Sequence, residues 1–509
     1  MTRTESSPAW QCALLGILLL AATRTPSFGE ASSACVGDCN HDGAVTVDEL
    51  VTGINIVLGA VPLSTCATFD TAADGQVSVD EIVIAVNHAL DGCPIAPTPT
   101  ATSSPTATPS ATSTPTERPH FCDLPGSVRT TGNGIVVVPG GPPGTSNLKF
   151  LHLPVGFCAH LFATVPNARQ LRFAPGGELF VASPTTVTTG GGSGGRAAVI
   201  VLPDDDHDGV ADTAITFLDN LPSTQGLLFT GGYFYYQDAT RIMRRPYAAG
   251  ERTASGAGEQ VADITVYASG LHWPKPLDVA DDGTIYVGNG GDQNEVCQPA
   301  HPFHGGILKL DGSPGGAQVA KGFRNPISIR CSRGHNLCFA LELSRDYSAA
   351  QGGREKMVPI RQGDDWGFPC CATRDLPYPD IVPVPNCSGV AAESESFIIG
   401  NTPFDLDFET DKWPAPWNNR AYVPLHGEAG TWKGARVVAI ELDPITGELL
   451  PGSDLGGGSN GAMQDFATGW DDQTLSHGRP ANVAFAADGR LFLGNDNTGD
   501  IIWIAPLGL

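Results

Sequence analysis

One short phrase recurs six times along this chain: an apolar arm, a turn of Gly, Asp or Asn, and a second apolar arm. The copies cover residues 171–181 with Pro175-Gly176-Gly177 at the turn, 227–236 around Gly231-Gly232, and 277–287 around Asp281-Asp282-Gly283. Three more cover 327–341 around Arg333-Gly334-His335-Asn336, 406–423 with an enlarged turn, and 483–493 around Asp488-Gly489. Arms of this kind are strands. A period of about 50 to 80 residues gives one antiparallel sheet per repeat, set radially. Six such sheets predict an all-β, six-bladed β-propeller whose interblade loops converge on the mouth of a central channel. The last strand, near residues 501–505, is expected to pair with an early one, since ring closure hides sheet edges.

The 509 residues carry a formal net charge of −25, with Lys and Arg scattered rather than clustered. A phosphate backbone is repelled by such a surface, so nucleic acid is excluded as a partner. Arg3, an apolar stretch over 13–22 and small residues over 31–34 have the layout of a secretory signal, assigned to 1–34. No later stretch is apolar enough to span a bilayer. Of 13 cysteines, Cys12 leaves with the signal, and the even remainder argues for disulfides in an exported protein, with the pairing left open. The expected location is the periplasm, the cell surface or the medium.

Residues 35–93 contain two loop–helix units. Asp38, Asn40 and Asp42 stand at positions 1, 3 and 5 of a twelve-residue calcium loop, with Gly43 at 6, Ala44 offering its carbonyl at 7 and Glu49 closing at 12. The second loop keeps Asp70, Asp74, Gly75 and Glu81 but has Ala72 at position 3, so weaker binding is expected. The unit resembles the dockerin and EF-hand families, which implies a small α-helical calcium-binding domain and a protein partner for it. Residues 94–120 are rich in Pro, Thr, Ser and Ala and form a tether, reaching up to roughly 75 Å if extended. The propeller then occupies 121–509.

Several separated phrases of the propeller segment go together. They are Leu153-Pro154-Val155-Gly156-Phe157, the run from Pro166-Asn167-Ala168-Arg169-Gln170 to Gly176, and Gly322-Phe323-Arg324-Asn325-Pro326. Glu355 followed by Gly363-Asp364-Asp365-Trp366-Gly367-Phe368-Pro369 completes the set. In order and spacing they resemble the soluble quinoprotein sugar dehydrogenases and their L-sorbosone dehydrogenase branch.

That resemblance implies pyrroloquinoline quinone and calcium in the channel mouth, a sugar or related aldehyde or alcohol as substrate, and a histidine base. Counting five residues back from Leu277 reaches His272 as that base. Arg324 corresponds to the guanidinium that stabilises charge on the quinone, and Gln225, Asn325, Lys433 and Arg479 to cofactor contacts. Ala481 stands where the family has a second arginine. Glu355 corresponds to an acidic residue near the calcium; a salt bridge with Arg354 or Lys356 is the other reading. With no Cys-x-x-Cys-His haem motif, electrons must pass to a separate acceptor.

Independently of any resemblance, Asp204, Asp206, Asp208 and Asp212 surround Gly209 at spacings suited to a hard cation. His301, His304 and His426 are not spaced as a metal cluster and are expected in loops or core. The competing function is a non-catalytic carbohydrate- or protein-binding propeller. A calcium-dependent lactonase would need an acidic cluster inside the channel that the sequence does not assemble. For the N-terminal unit, an excised fragment of residues 35–93 should gain helical circular dichroism on calcium addition; an unchanged spectrum would remove metal-dependent folding.

Overall fold

Each recurrent phrase folds as the first two strands of a blade, and the two arms pair as the sequence pattern requires. Leu171 faces Val181, Leu227 faces Tyr236, Leu277 faces Val287 and Val483 faces Leu493. The glycines sit where the turns demand left-handed backbone, as at Gly177 (φ 93°) and Gly283 (φ 85°). This computed structural model describes residues 35–40, 44–71, 76–91, 93, 120–183, 197–264, 272–291, 297, 305–345, 354–392, 395–398, 400–427, 434–453, 460–471 and 477–509. The chain divides into two compact units between residues 114 and 115.

The larger unit is a six-bladed propeller, as the repeats predict. Blade one comprises Gln170–Phe173, Leu179–Ser183, Ala197–Leu202 and Ile215–Leu221. Blades two and three run in chain order from Leu227–Thr230 to Glu259–Asp263 and from Leu277–Val279 to Ala317–Lys321. Blade four begins with Asn325–Ser332, Leu337–Leu343 and Arg354–Pro359, and blade five runs from Asp407–Phe408 to Met463–Ala467. Blade six joins both ends of the unit: Arg479–Phe485, Leu491–Asp496 and Asp500–Pro506 pair onward to Phe157–Thr164. The last strand therefore closes the ring against an early one. Between blades the faces are apolar. Phe180, Phe217, Phe229, Phe234 and Tyr247 interlock between blades one and two. Phe157, Trp413, Tyr422, Phe466 and Phe485 do so between blades five and six.

The first strands of the blades touch one another around the ring, and the axis they enclose is filled with charge. Arg330 and Asp405, each 2% exposed, pair at 3.2 Å. Asp405 also accepts from Ser328 Oγ at 2.6 Å and from the Val483 amide at 3.3 Å. Arg172 reaches Asp278 at 3.5 Å and donates to the carbonyls of Leu227 and Leu277. Asp407 takes the amide of Phe485, and Asp278 that of Cys331. Burial pushes the carboxyls of Asp405 and Asp407 above their ordinary range, and the two arginines oppose it.

Six disulfides pair all twelve cysteines from Cys35 onward: Cys35–Cys93, Cys39–Cys66, Cys122–Cys158, Cys297–Cys370, Cys331–Cys338 and Cys371–Cys387. Cys331 and Cys338 lie directly opposite each other across the hairpin of blade four. Among the described residues no helix is long and apolar enough to cross a membrane.

The small unit holds two helices, α1 (Val47–Val57) and α2 (Val79–Asp91). Thr46 and Glu49 form a reciprocal cap at the start of α1, the pattern that satisfies amide donors a helix end leaves open. The Glu49 carboxylate also takes the Cys39 and Asn40 amides, and Glu81 takes those of Thr71 and Ser78. The two glutamates thus make equivalent contacts, each accepting amides of its own loop. Asp42 and Asp74 lie outside the described residues.

Replacing Asp405 with Ala should cost the propeller about 3–5 kcal/mol, because Arg330 is left buried without its carboxylate. Chemical denaturation of D405A against the parent protein measures this, and a change under 1 kcal/mol would contradict a structural role for the axial charges.

Candidate functional site

A propeller's inner strands all start at the same end of the channel, so the segments that lead into them converge. Here they line a cavity of about 140 Å³. Arg169 precedes the first strand of blade one, Gln225 that of blade two, and His272, Trp273 and Pro274 that of blade three. Asn325 and Ile327 open blade four, Leu343 ends its second strand, and Phe404 precedes blade five. Three residues expected from the sequence, Gln225, His272 and Asn325, therefore share one wall.

His272 is buried. Its Nδ1 lies 2.5 Å from the Gly291 carbonyl. A carbonyl only accepts, so Nδ1 carries the proton and the imidazole lone pair is on Nε2. The loop is pinned from below. The Gln237 side chain donates to the Trp273 carbonyl at 2.7 Å and accepts the amides of Gln225 and Lys275 at 3.1 and 3.0 Å. Lys275 is buried beneath it, its Nζ 3.5 and 3.4 Å from the carbonyls of His272 and Trp273, and burial lowers its pKa to about 8. Gly290 completes the fit, since a Cβ there would come within 2.3 Å of the His272 Cβ.

Arg324 stands beside this wall: its carbonyl accepts the Gly291 amide at 2.9 Å. Its own amide donates to Glu342 Oε1 at 3.0 Å, and its Nη1 to the Ser344 carbonyl at 3.1 Å. Glu342 is paired in turn with Lys356 at 3.3 Å, both fully buried, and Lys356 donates to the Trp366 carbonyl. Trp366 and Phe368 donate backbone bonds to Lys321 and Gly322. The stretch 363–369 is thus a clamp on the turn that presents Arg324 and Asn325. Two phrases about 40 residues apart in sequence are one structural unit.

Blade six contributes through a cluster the sequence reading did not assign. Asp496 pairs with Arg169 at 3.4 Å and Arg479 at 3.6 Å, and it accepts from His426 Nε2 at 2.9 Å. His426 stacks on Phe404. Burial lowers its pKa to about 4, against the pull of Asp496. Burial raises the carboxyl of Asp496, but the His426 bond and the two guanidiniums outweigh it and hold the group well below the ordinary range. Burial brings Arg479 down to about 10. His426, expected as a loop or core residue, is therefore bound to the site. Arg169 was visible in the 166–176 phrase, but only the ring closure brings it to Arg479. Ala481 is fully buried, at a bulge between Pro480 and Asn482.

Other expected residues lie elsewhere. Glu355 sits on the third strand of blade four and accepts the Thr402 amide at 2.6 Å. It is not part of the cavity wall, because its strand lies two strands out from the innermost one. Neither expected ion pair is seen among the described residues: Lys356 serves Glu342, and Arg354 donates to Ser396. Asp204, Asp206 and Asp208 cluster at the edge of blade one, but Asp212 turns back to take the Asp205 amide at 2.6 Å. Asp212 is thus a clasp on the loop rather than a fourth member of the cluster. Lys433, His301 and His304 lie outside the described residues.

A family profile described as a domain of unknown function, DUF7133, matches residues 144–328. No curated protein matches the chain. Among solved structures, the chain is similar to the calcium structure of a Trichoderma reesei carbohydrate-active enzyme of family AA12. That likeness has 19% identity and a TM-score of 0.57, over 70% of this chain and 97% of that one. It is also similar to the holo form of the PQQ domain of pyranose dehydrogenase from Coprinopsis cinerea, with 16% identity and a TM-score of 0.54, over 70% and 96%. At such identities the likeness is one of fold, and it bears out the propeller read from the sequence.

The buried histidine has a pH consequence. An unfolded chain protonates His426 near 6.5, whereas the folded one resists until about 4, so the unfolded state binds more protons in between. Stability should therefore fall as pH drops from 6.5 towards 4, and His426→Gln should flatten that slope. Thermal midpoints across this range check it; parallel slopes for parent and variant would refute it.

Proposed function

We propose that this chain is an exported oxidoreductase. In this reading the channel mouth holds pyrroloquinoline quinone with calcium, and a sugar, or a related aldehyde or alcohol, is oxidised beside it. The supporting observation is the convergence of His272, Gln225, Asn325 and Arg169 on one cavity, with Arg479 joined to Arg169 through Asp496. The donor chemistry fits the cofactor. Arg169 and Arg479 suit ring carboxylates, and the buried Asn325 Oδ1 and Arg169 Nε have no hydrogen-bond partner among the described residues. When bound, the quinone would supply a hydride acceptor and calcium a Lewis acid.

His272, with its proton fixed on Nδ1, takes the substrate hydroxyl proton at Nε2. Arg324 stabilises developing negative charge from a turn already locked by Glu342 and Lys356. Gln225 and Asn325 orient the cofactor, and Lys433, outside the described residues, is the further contact that the resemblance implies. Electrons leave to a separate acceptor. On the N-terminal unit, Val47, Val51, Ile54 and Leu58 form an exposed apolar stripe along α1, the face on which a protein partner of this dockerin-like unit docks.

A non-catalytic carbohydrate- or protein-binding propeller is the second reading. It is favoured by Asp496, which already neutralises the two arginines, and by Ala481 in place of a second family arginine. Adding pyrroloquinoline quinone and calcium to purified protein separates the two. The enzyme reading expects uptake at micromolar quinone and dye reduction with some aldose. It further expects His272→Gln to keep the uptake while losing turnover by about 100-fold or more. No uptake would leave the binding module.

A further inference from the structure

The acidic loop that follows the third strand of blade one lies apart from the channel mouth. Ligand oxygens of Asp204, Asp206 and Asp208 lie within 4.8 Å of one another. The Asp204 side chain is only 10% exposed, and neither of its carboxylate oxygens makes a well-formed hydrogen bond among the described residues, although the Gly209 amide approaches it. Arg490 Nη1 stands 3.6 Å from it, but Arg490 is committed through Nε and Nη2 to Asp488 and stacks on Phe121. A buried carboxylate is costly unless positive charge and donors offset it, and the one guanidinium beside Asp204 is shared with Asp488. Three carboxylates on one loop suit a calcium ion, which takes oxygen ligands in irregular geometry.

The loop's attachments say what such an ion would do. The Gly209 carbonyl accepts from Trp503 Nε1 at 2.8 Å, and Trp503 belongs to the last strand of the closing sheet. The Ala211 amide donates to the Phe162 carbonyl at 2.9 Å, and Phe162 belongs to the early strand that pairs with it. Gly209 has φ 85°, and a Cβ there would meet Leu124 at 2.8 Å and Trp503 at 3.2 Å. One loop thus grips both strands that shut the ring.

We propose that Asp204, Asp206 and Asp208 bind a calcium ion that clasps blade one onto the closing sheet and stabilises the ring. The site is independent of the quinone reading.

Terbium, a luminescent stand-in for calcium, tests it in the full-length protein, because Trp503 is bonded to the loop and can sensitise the ion. Residues 35–93 contain no tryptophan of their own. Tryptophan excitation should give saturable terbium emission that excess calcium suppresses. Asp206→Asn and Asp208→Asn should each remove most of that emission, and Asp205→Asn, whose carboxylate pairs with Arg252, should keep it. Emission unchanged in both loop variants, or no calcium-competed emission in the parent, would overturn the proposal. As a second readout, calcium should raise the propeller's thermal midpoint by several degrees in the parent and not in Asp208→Asn; equal shifts would also overturn it.

Discussion

The propeller depends on the charges at its axis. Six inner strands from separate repeats must meet around a narrow space, and apolar packing alone would not fix which neighbours which. Arg330 answers this by pairing with Asp405 of blade five while reaching carbonyls of blades one and six. Arg172 of blade one does the same with Asp278 and with the carbonyls of Leu227 and Leu277. Each buried ion is satisfied only when its blade sits in the right order. The desolvation cost of such pairs makes them poor sources of stability, but an incorrect arrangement would strand a charge.

The same convergence makes the candidate site. Because the axis is filled, the space that remains is at one end, where the segments preceding the inner strands fold over. Blades one to five supply residues there, and blade six joins through Asp496. Gln237 of blade two holds the loop of His272, and the 363–369 stretch holds the turn of Arg324. Asp496 of blade six gathers Arg169, Arg479 and His426. Preorganisation of this kind lets side chains act without reorganising at the moment of reaction.

Much of this was legible in the chain. The six repeats gave the blades, since an apolar pair of arms around a Gly or Asp turn can do little except form a hairpin, and Leu171–Val181 and Leu277–Val287 pair as read. Of the residues that line the cavity, His272 was reached by its offset from a repeat arm, Asn325 through the phrase 322–326 and Gln225 through a family match. Arg169 and Asp496 gave no such signal. Nothing local in Asn167-Ala168-Arg169 or Gly494-Asn495-Asp496 says that the two will be 3.4 Å apart. His426 was read as a loop or core residue for the same reason. Glu355 was placed by analogy with a motif, but its strand turns it towards the Thr402 amide instead of the cavity.

What the sequence settled by itself is periodic and local: the strands, the turns, the even set of cysteines and the acidic loops, each fixed by residues a few positions apart. What only the tertiary structure decided is everything that crosses blades. The disulfide pairs, the axial ion pairs, the Arg169–Asp496–Arg479 cluster and the seam beside Gly209 all join residues tens to hundreds of positions apart. Their distances are set when the ring closes, and a one-dimensional pattern carries no record of that closure.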